Sequence, residues 1–194
     1  MVCEELGISK DALLIGLVGR FDPQKDHYNF VRAAALLNGH ALDAHFLLCG
    51  DQVSWENSIL TGWIEASGLA NRFHLLGRRE DITRLTAALD IASSSSYTEG
   101  FPNVIGEAMS CGVPCVVTDV GDSALIVGNT GKVVPPKNPE ALAAAWGDLI
   151  KMGPEYRRQL GSAARRRVEE NYSLPAIVSK YENLYKELAA DVRN

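Results

Sequence analysis

Short apolar runs alternate with longer segments of helical periodicity along most of the chain. The apolar runs predict strands at residues 13–18, 45–49, 72–76, 90–93, 114–118 and 132–134. Apolar residues at helical spacing predict helices at residues 28–37, 55–66, 81–89, 104–110, 139–150, 154–171 and 174–189. This alternation is typical of βαβ units. With right-handed crossovers it predicts an α/β fold, a Rossmann-like, doubly wound parallel sheet with helices on both faces.

Length and composition narrow the class of protein. The 194 residues fit a single domain over residues 1–194, and 46% hydrophobic with 22% charged residues are ordinary for a soluble protein. The net charge of -5 argues against nucleic acid as the main partner. Four scattered cysteines and no secretory signal lead us to expect buried or partly buried thiols and a cytoplasmic location.

The residues that follow the predicted strands are unusually polar. In doubly wound sheets, ligands bind outside the carboxyl ends of the strands, so these residues are expected to line one crevice. They are residues 19–25, 50–51, 77–79, 94–99 and 119–122.

The segment YTEGFPNVIGEAMSCGVPC at residues 97–115 has the features of a phosphate-binding loop followed by a helix. Pro102 suits the first turn of that helix, and Gly112 suits the left-handed residue after it. The free N–H groups of the helix then point toward Glu99, Gly100 and Phe101, where the positive helix end favours an anion.

Arg20 and Lys25 lie in one loop after the first strand. An arginine binds phosphate oxygens through two parallel N–H bonds and a lysine adds a point charge, so the pair could neutralise a diphosphate. Taken alone, two ordinary surface cations explain the pair better. The anion-binding loop predicted at the same sheet edge favours the binding role.

Glu99 and Glu107 allow more than one interpretation. Paired carboxylates suit general acid and base chemistry, as in glycoside hydrolases. They equally suit a binding role, because an ionised carboxylate accepts hydrogen bonds from sugar hydroxyls. Asn103 and Glu107 share a helix face and could line a pocket wall, although Glu107 could also be a solvated surface residue.

Other motifs predict no site. No strand is followed by G-x-G-x-x-G, and GNTGKV at residues 128–133 lacks P-loop spacing. The arginine-rich segment at residues 157–167 is most simply a solvated helix face, with a membrane-surface or domain-contact role as the alternative. The histidines are dispersed and predict no metal cluster, although His27 could reach the site; they are His27, His40, His45 and His74.

Three segments together resemble a known family. GLVGRFDPQKD, TEGFPNVIGEAMSCGVPCVVTDVGDSALIV and TGKVVPPKNPEALAAA are similar to the C-terminal donor-binding domain of the GT-B-fold retaining glycosyltransferases of family 4, also called group 1. The resemblance extends from about residue 7 to the closing segment NYSLPAIVSKYENLYKEL. The sequence departs from the family pattern at Asp26, where glycine is common, and in a short segment between Gly121 and Gly131.

The resemblance implies a role for each candidate residue. Arg20 and Lys25 would bind the donor diphosphate beside Gly19, and Glu99 would contact sugar hydroxyls. Glu107 would hold the ribose, while Arg78 and Arg79 mark the loop that meets the nucleobase through its backbone. The backbone of the residues before and at the start of the helix would approach sugar and phosphate; these are Gly100, Phe101, Pro102 and Asn103.

The resemblance also implies an activity. The parent enzyme would transfer a hexose from a nucleotide sugar, such as a UDP or GDP sugar, to an acceptor hydroxyl with retention, in polysaccharide or glycoconjugate biosynthesis. Arg20, Lys25 and Glu99 would carry catalysis without a metal or other cofactor. An N-terminal acceptor domain is absent from this chain, which we expect to be inactive alone. The parent could contact the inner face of the membrane. A non-catalytic nucleotide-sugar binding module and a GT-B-fold phosphorylase or epimerase stay open as alternatives.

Overall fold

The computed structural model describes residues 2–37 and 43–191, which form a six-stranded parallel sheet with the order β3-β2-β1-β4-β5-β6. The strands are β1 Leu13–Val18, β2 Ala44–Cys49, β3 Phe73–Leu75, β4 Ile91–Ser94, β5 Cys115–Thr118 and β6 Gly131–Val134. The helices are α1 Val2–Glu5, α2 His27–Leu37, α3 Ser58–Ala66, α4 Ile82–Thr86, α5 Asn103–Ser110, α6 Ser123–Val127, α7 Pro139–Lys151, α8 Gly153–Asn171 and α9 Leu174–Asp191. The predicted Rossmann-like fold is confirmed.

Two apolar layers cover the sheet, because successive strand side chains point to opposite faces. Ile15 and Phe46 lie in one layer, which contains helices α2, α3 and α7. Leu14 and Leu47 lie in the other, with α4, α5 and α6. At the centre of the first layer Trp146 is fully buried, and its indole N–H donates to Ser93 Oγ at 3.2 Å.

The predicted elements match the structure closely, and the differences have local causes. Helix α3 begins at Ser58 and not at residue 55, because Asn57 Oδ1 accepts from the N–H groups of Ile59 and Leu60 and so caps the helix. Helix α4 ends at Thr86. The short helices α1 and α6 were not predicted, since four or five residues carry too little periodicity to be recognised.

Helix α9 differs from the other long helices in its exposure. Its apolar side chains recur at helical spacing, yet most of them face solvent, from 45% exposure at Val178 to 77% at Leu174. The exposed members are Leu174, Val178, Tyr181, Leu184, Tyr185 and Leu188, which we call the α9 stripe. None of the helices in residues 2–37 and 43–191 has the length and apolar composition needed to cross a bilayer.

Candidate functional site

The loop between β1 and α2 is held in shape by its own carboxylates. Asp22 Oδ1 accepts from the N–H of Gln24 at 2.9 Å and starts the short 3-10 turn that carries Lys25. Asp26 follows in a left-handed conformation, with φ of 47°, and its Oδ1 accepts from the N–H of Asn29 at 3.1 Å. The turn thus places Lys25 over Gly19, where an added Cβ would lie 3.5 Å from the Lys25 Cδ.

Lys25 and Glu99 are 74 residues apart in sequence and meet at this edge of the sheet. Lys25 Nζ lies 2.6 Å from Glu99 Oε1, and the Ser96 hydroxyl donates to the same oxygen at 2.7 Å. Their side chains are only 22% and 13% exposed. A carboxylate held by a lysine and a hydroxyl has its orientation fixed before a ligand arrives. Sequence reasoning selected both partners but not their contact, and it placed Ser96 in the predicted crevice without assigning it a role.

Two glycines bring neighbouring strand ends into backbone contact with the site. A Cβ on Gly50 would lie 2.1 Å from the carbonyl oxygen of Gly19, and one on Gly121 would lie 2.3 Å from that of Gly100. Asp122 N–H also donates to the Gly100 carbonyl at 2.9 Å. Only residues without a side chain fit these positions, so the loops after β2 and β5 support the two loops that carry the candidate residues.

Helix α5 begins one residue before the predicted range of 104–110, and Pro102 lies just outside its first turn. Its first residue is Asn103, and Pro102 precedes it in an extended conformation with φ of -76° and ψ of 95°. Gly112 follows the helix with φ of 74°, as predicted. No side chain caps the α5 N-terminus among the described residues. Its free N–H groups and the open position beside Gly100 therefore remain able to bind an anion.

Most other candidates on this loop and helix are exposed, whereas Pro102 is buried. Asn103 and Glu107 are both on the solvent side of α5. Phe101 is half exposed, and its ring centroid lies 5.8 Å from that of Tyr172 at the junction of α8 and α9. Glu99 is held in the cleft by Lys25, whereas Glu107 is a solvent-facing helix residue, so the two glutamates occupy different environments.

The three candidate arginines differ in their partners. Arg20 is 64% exposed and its Nε lies 3.2 Å from Asp22 Oδ2. Arg78 is exposed. Arg79 contacts Asp81 through Nε at 2.8 Å and Glu5 through Nη1 at 2.9 Å, and Arg79 and Arg84 lower the pKa of the Asp81 carboxyl. The Arg79 guanidinium thus joins α1 to the loop before α4, a contact that sequence reasoning missed.

His27 lies at the start of α2 beneath the loop that carries Lys25. It is 1% exposed, and its ring centroid is 5.4 Å from that of Phe21. Burial, with a contribution from the nearby Lys25 charge, lowers the pKa of His27 to about 4. His27 is therefore a neutral core residue at neutral pH. His40 lies outside the described residues.

Two arginines of the segment at residues 157–167 have structural roles. Arg157 is buried, with its Nη2 3.2 Å from Asp90 Oδ1, and Arg167 donates to the carbonyl of Ile126 at 2.8 Å, so the expected solvated face is wrong for these two arginines.

The other motifs noted in the sequence form no site. Residues 128–133 lead from α6 into β6 and do not form a strand-to-helix phosphate loop. Cys49 and Cys115 are buried, and Cys3 and Cys111 partly so, as predicted. Within residues 2–37 and 43–191, no group of three or more His, Cys, Asp or Glu side chains could hold a metal.

Comparisons with known proteins give one consistent result. Residues 12–152 match the family model described as glycosyl transferases group 1. N-acetyl-alpha-D-glucosaminyl L-malate synthase of Bacillus anthracis is 30% identical over 193 residues, which cover 98% of this chain and 50% of that protein. The chain therefore spans about half the length of this relative.

Solved structures give the same fold. Sucrose-phosphate synthase of Thermosynechococcus elongatus superposes with a TM-score of 0.82 at 29% identity, over 97% of this chain and 48% of that one. The Anabaena protein HepE, solved in complex with UDP-glucose, superposes with a TM-score of 0.81 at 26% identity, over 97% of this chain and 51% of that one.

Proposed function

Because the chain belongs to the group 1 glycosyl transferases, we propose that it is the donor-binding half of a retaining hexosyltransferase and binds a nucleoside-diphosphate sugar. The observation that carries the proposal is the uncapped N-terminus of α5 beside the Lys25–Glu99 pair. A UDP sugar is the first donor to test, since HepE was solved with UDP-glucose.

In the proposed complex, the diphosphate lies between two sources of positive charge. Arg20 swings from Asp22 to the phosphate oxygens, at little cost because the pair is exposed. Lys25 contributes from the cleft, and the N–H groups at the start of α5 donate to the same group. Negative charge grows on the leaving diphosphate as the sugar bond breaks, so these donors stabilise the transition state, which they could do without a metal.

Glu99 and Glu107 have binding roles in this proposal. Glu99 accepts from Lys25 and Ser96 through one oxygen, Oε1, which leaves Oε2 for sugar hydroxyls. With Oε1 held by Lys25 and Ser96, Glu99 is proposed to orient the sugar and not to attack it. Glu107, exposed on α5, accepts from the ribose hydroxyls, and the backbone of the loop with Arg78 and Arg79 meets the base.

The rest of the enzyme is proposed to be an N-terminal acceptor domain. The α9 stripe supports this, because exposed apolar patches of such extent mark interaction surfaces. We propose that the partner domain covers the α9 stripe and closes the cleft, and that this chain alone transfers no sugar. The parent enzyme would act in the cytoplasm and could contact the inner face of the membrane.

Calorimetric titration of this chain with UDP, GDP and ADP tests the proposal. We expect one nucleotide to bind, and Arg20→Ala and Glu107→Ala each to weaken it about tenfold or more, the cost of one charged hydrogen bond. Arg158→Ala, which removes another exposed arginine paired with a nearby carboxylate, is the matched control and should leave binding unchanged. If no nucleotide binds, or if Arg20→Ala behaves like Arg158→Ala, the site is assigned wrongly. Retention of the anomeric configuration is tested separately, from the anomer that the full-length enzyme forms. If this chain binds a nucleotide but the full-length protein transfers no sugar, the chain is a nucleotide-sugar binding module.

A further inference from the structure

Ser95 directly follows β4 and contacts the loop between β1 and α2. The residue is fully buried, with 0% of its surface exposed. Its hydroxyl donates to the carbonyl oxygen of Lys25 at 2.8 Å, and the Asp26 carbonyl oxygen lies 3.0 Å from the same Oγ. A buried hydroxyl is tolerated where it has hydrogen-bond partners. Here both partners belong to the backbone of the loop that carries a proposed phosphate ligand.

The segment after β4 contacts three successive carbonyl groups of this loop. Tyr97 N–H donates to the Gln24 carbonyl at 3.0 Å, next to the two contacts that Ser95 makes with Lys25 and Asp26. The Tyr97 contact is made by the backbone, so any residue other than proline could make it. The contacts to Lys25 and Asp26 depend on the Ser95 hydroxyl, and a substitution can therefore remove them.

Asp26 has a backbone conformation that residues with a side chain rarely adopt. Its φ is 47° and its ψ is 56°, in the left-handed region. Such a conformation persists where surrounding contacts hold it, and it is frequent at functional sites. The Lys25 carbonyl precedes the Asp26 Cα and the Asp26 carbonyl follows it. The Ser95 hydroxyl contacts both groups, so it restrains both dihedral angles of Asp26.

The conformation of Asp26 sets the position of Lys25 relative to α2. The helix begins at His27, so Asp26 is the one residue that connects it to Lys25. A rotation about φ or ψ of Asp26 would swing Lys25 away from Glu99, which its Nζ contacts at 2.6 Å. We propose that Ser95 is a positioning residue, which holds the Lys25 ammonium at the diphosphate by fixing Asp26. This role rests on the proposed function, in which Lys25 is a phosphate ligand.

A double-mutant cycle on nucleotide affinity tests this role. The parent chain, Ser95→Ala, Lys25→Ala and the double variant are titrated with the tightest binder of UDP, GDP and ADP, by calorimetry or, for weak binding, by NMR. We expect Ser95→Ala to weaken binding about tenfold in the parent chain and less than about twofold in Lys25→Ala. A purely structural role for Ser95 would lower the affinity by the same factor in both backgrounds.

Two further variants separate positioning from stability. Thr130→Val removes another buried hydroxyl, which donates to the Val127 carbonyl at 2.7 Å outside the proposed donor site. It should lower the unfolding temperature, as Ser95→Ala does, and leave the nucleotide affinity unchanged. Ser95→Cys keeps the shape of the side chain and a weak S–H donor, so its affinity should lie between those of the parent chain and Ser95→Ala. It replaces Ser95→Ala if that variant does not fold.

The role of Ser95 is overturned if both Ser95 variants bind nucleotide like the parent chain, or if Ser95→Ala costs the same factor with and without Lys25. An equal loss of affinity in Thr130→Val, or an unchanged affinity in Lys25→Ala, would overturn it as well. If the parent chain binds no nucleotide, the proposed function fails and the role of Ser95 fails with it. Nucleotide binding that depends on Lys25 but not on Ser95 leaves the proposed function in place and overturns this role alone.

Discussion

Helices α5 and α7 both begin at the carboxyl edge of the parallel sheet, but their first N–H groups are satisfied differently. At α7, Asn138 Oδ1 accepts from the N–H of Ala141 at 2.9 Å, and Glu140 adds a carboxylate to the first turn. At α5, no described side chain caps the helix and the first turn contains no acid. Helices α4, α6 and α8 also begin without a side-chain cap from the described residues, so the missing cap favours an anion at α5 only together with the neighbouring Lys25 and the open position beside Gly100.

The largest effect on nucleotide binding is expected when α5 is given a side-chain cap of its own. Pro102→Asp should weaken nucleotide diphosphate binding about 1000-fold, because the new carboxylate accepts the free N–H groups and repels phosphate. Calorimetric titration measures the loss. Pro102→Ala is the matched control, since it removes the same ring and adds no acceptor; equal affinities of the two variants would mean that phosphate does not bind at α5.

Helix α2 begins with the buried His27, and the effect of protonating this side chain on stability can be tested by varying the pH. The lowered pKa of His27, about 4 against an ordinary 6.5, means that the unfolded chain binds the proton more tightly. The stability is therefore full above pH 6.5 and falls by about 3 kcal/mol as the pH drops from 6.5 to 4. Urea unfolding across this range measures the loss.

His27→Phe isolates that effect. The variant keeps an aromatic ring against Phe21 and cannot bind a proton, so the acid-dependent loss of stability should shrink, while His45 and His74 titrate in both proteins. Parallel stability curves for parent and variant would show that His27 is not the group responsible.

Lys25→Ala tests the ion pair between Lys25 and Glu99, which lies beside the α5 N-terminus. It removes a proposed phosphate ligand and leaves Glu99, 13% exposed, with Ser96 as its hydrogen-bond partner among the described residues, which should cost about 2 kcal/mol of unfolding free energy. Urea unfolding measures it. Adding Glu99→Gln should recover part of the stability without restoring nucleotide affinity, and strict additivity of the two changes would contradict the coupling.

The smallest effect is expected at α7. Asn138→Ala removes the cap and should lower the free energy of unfolding by about 1 kcal/mol. Nucleotide affinity should not change, because this helix start does not belong to the proposed donor site. If calorimetry shows that Asn138→Ala also loses nucleotide affinity, the α7 N-terminus contributes to binding and the distinction between the two helices is wrong.

The sequence predicted the sheet well because its signals are local. Buried strands such as Leu13–Val18 read as continuous apolar runs, and Gly112 marked the end of α5 by its left-handed conformation. Arg20, Lys25 and Glu99 could be selected because parallel strands end at one edge. The resemblance to a known family then gave these residues individual roles.

The remaining features depend on contacts between distant segments. The pairing of Lys25 with Glu99 across 74 residues, the contact of Arg79 with Glu5, and the fit of Gly121 against Gly100 all require the folded chain. From sequence alone, Gly121 is compatible with many kinds of turn and Glu99 with any surface position, because their partners come from other loops. Local patterns therefore locate the site but do not give its internal contacts.

Amide NMR of the labelled chain during titration with UDP tests the account most directly. The N–H signals of Asn103 and Val104, at the open start of α5, should show the largest shifts, with further shifts at Gly19 and Arg20. The signals of Glu140 and Ala141, at the capped start of α7, should stay in place. Shifts of equal size at both helices, or shifts confined to residues away from α5, would contradict the claim that the uncapped helix holds the diphosphate.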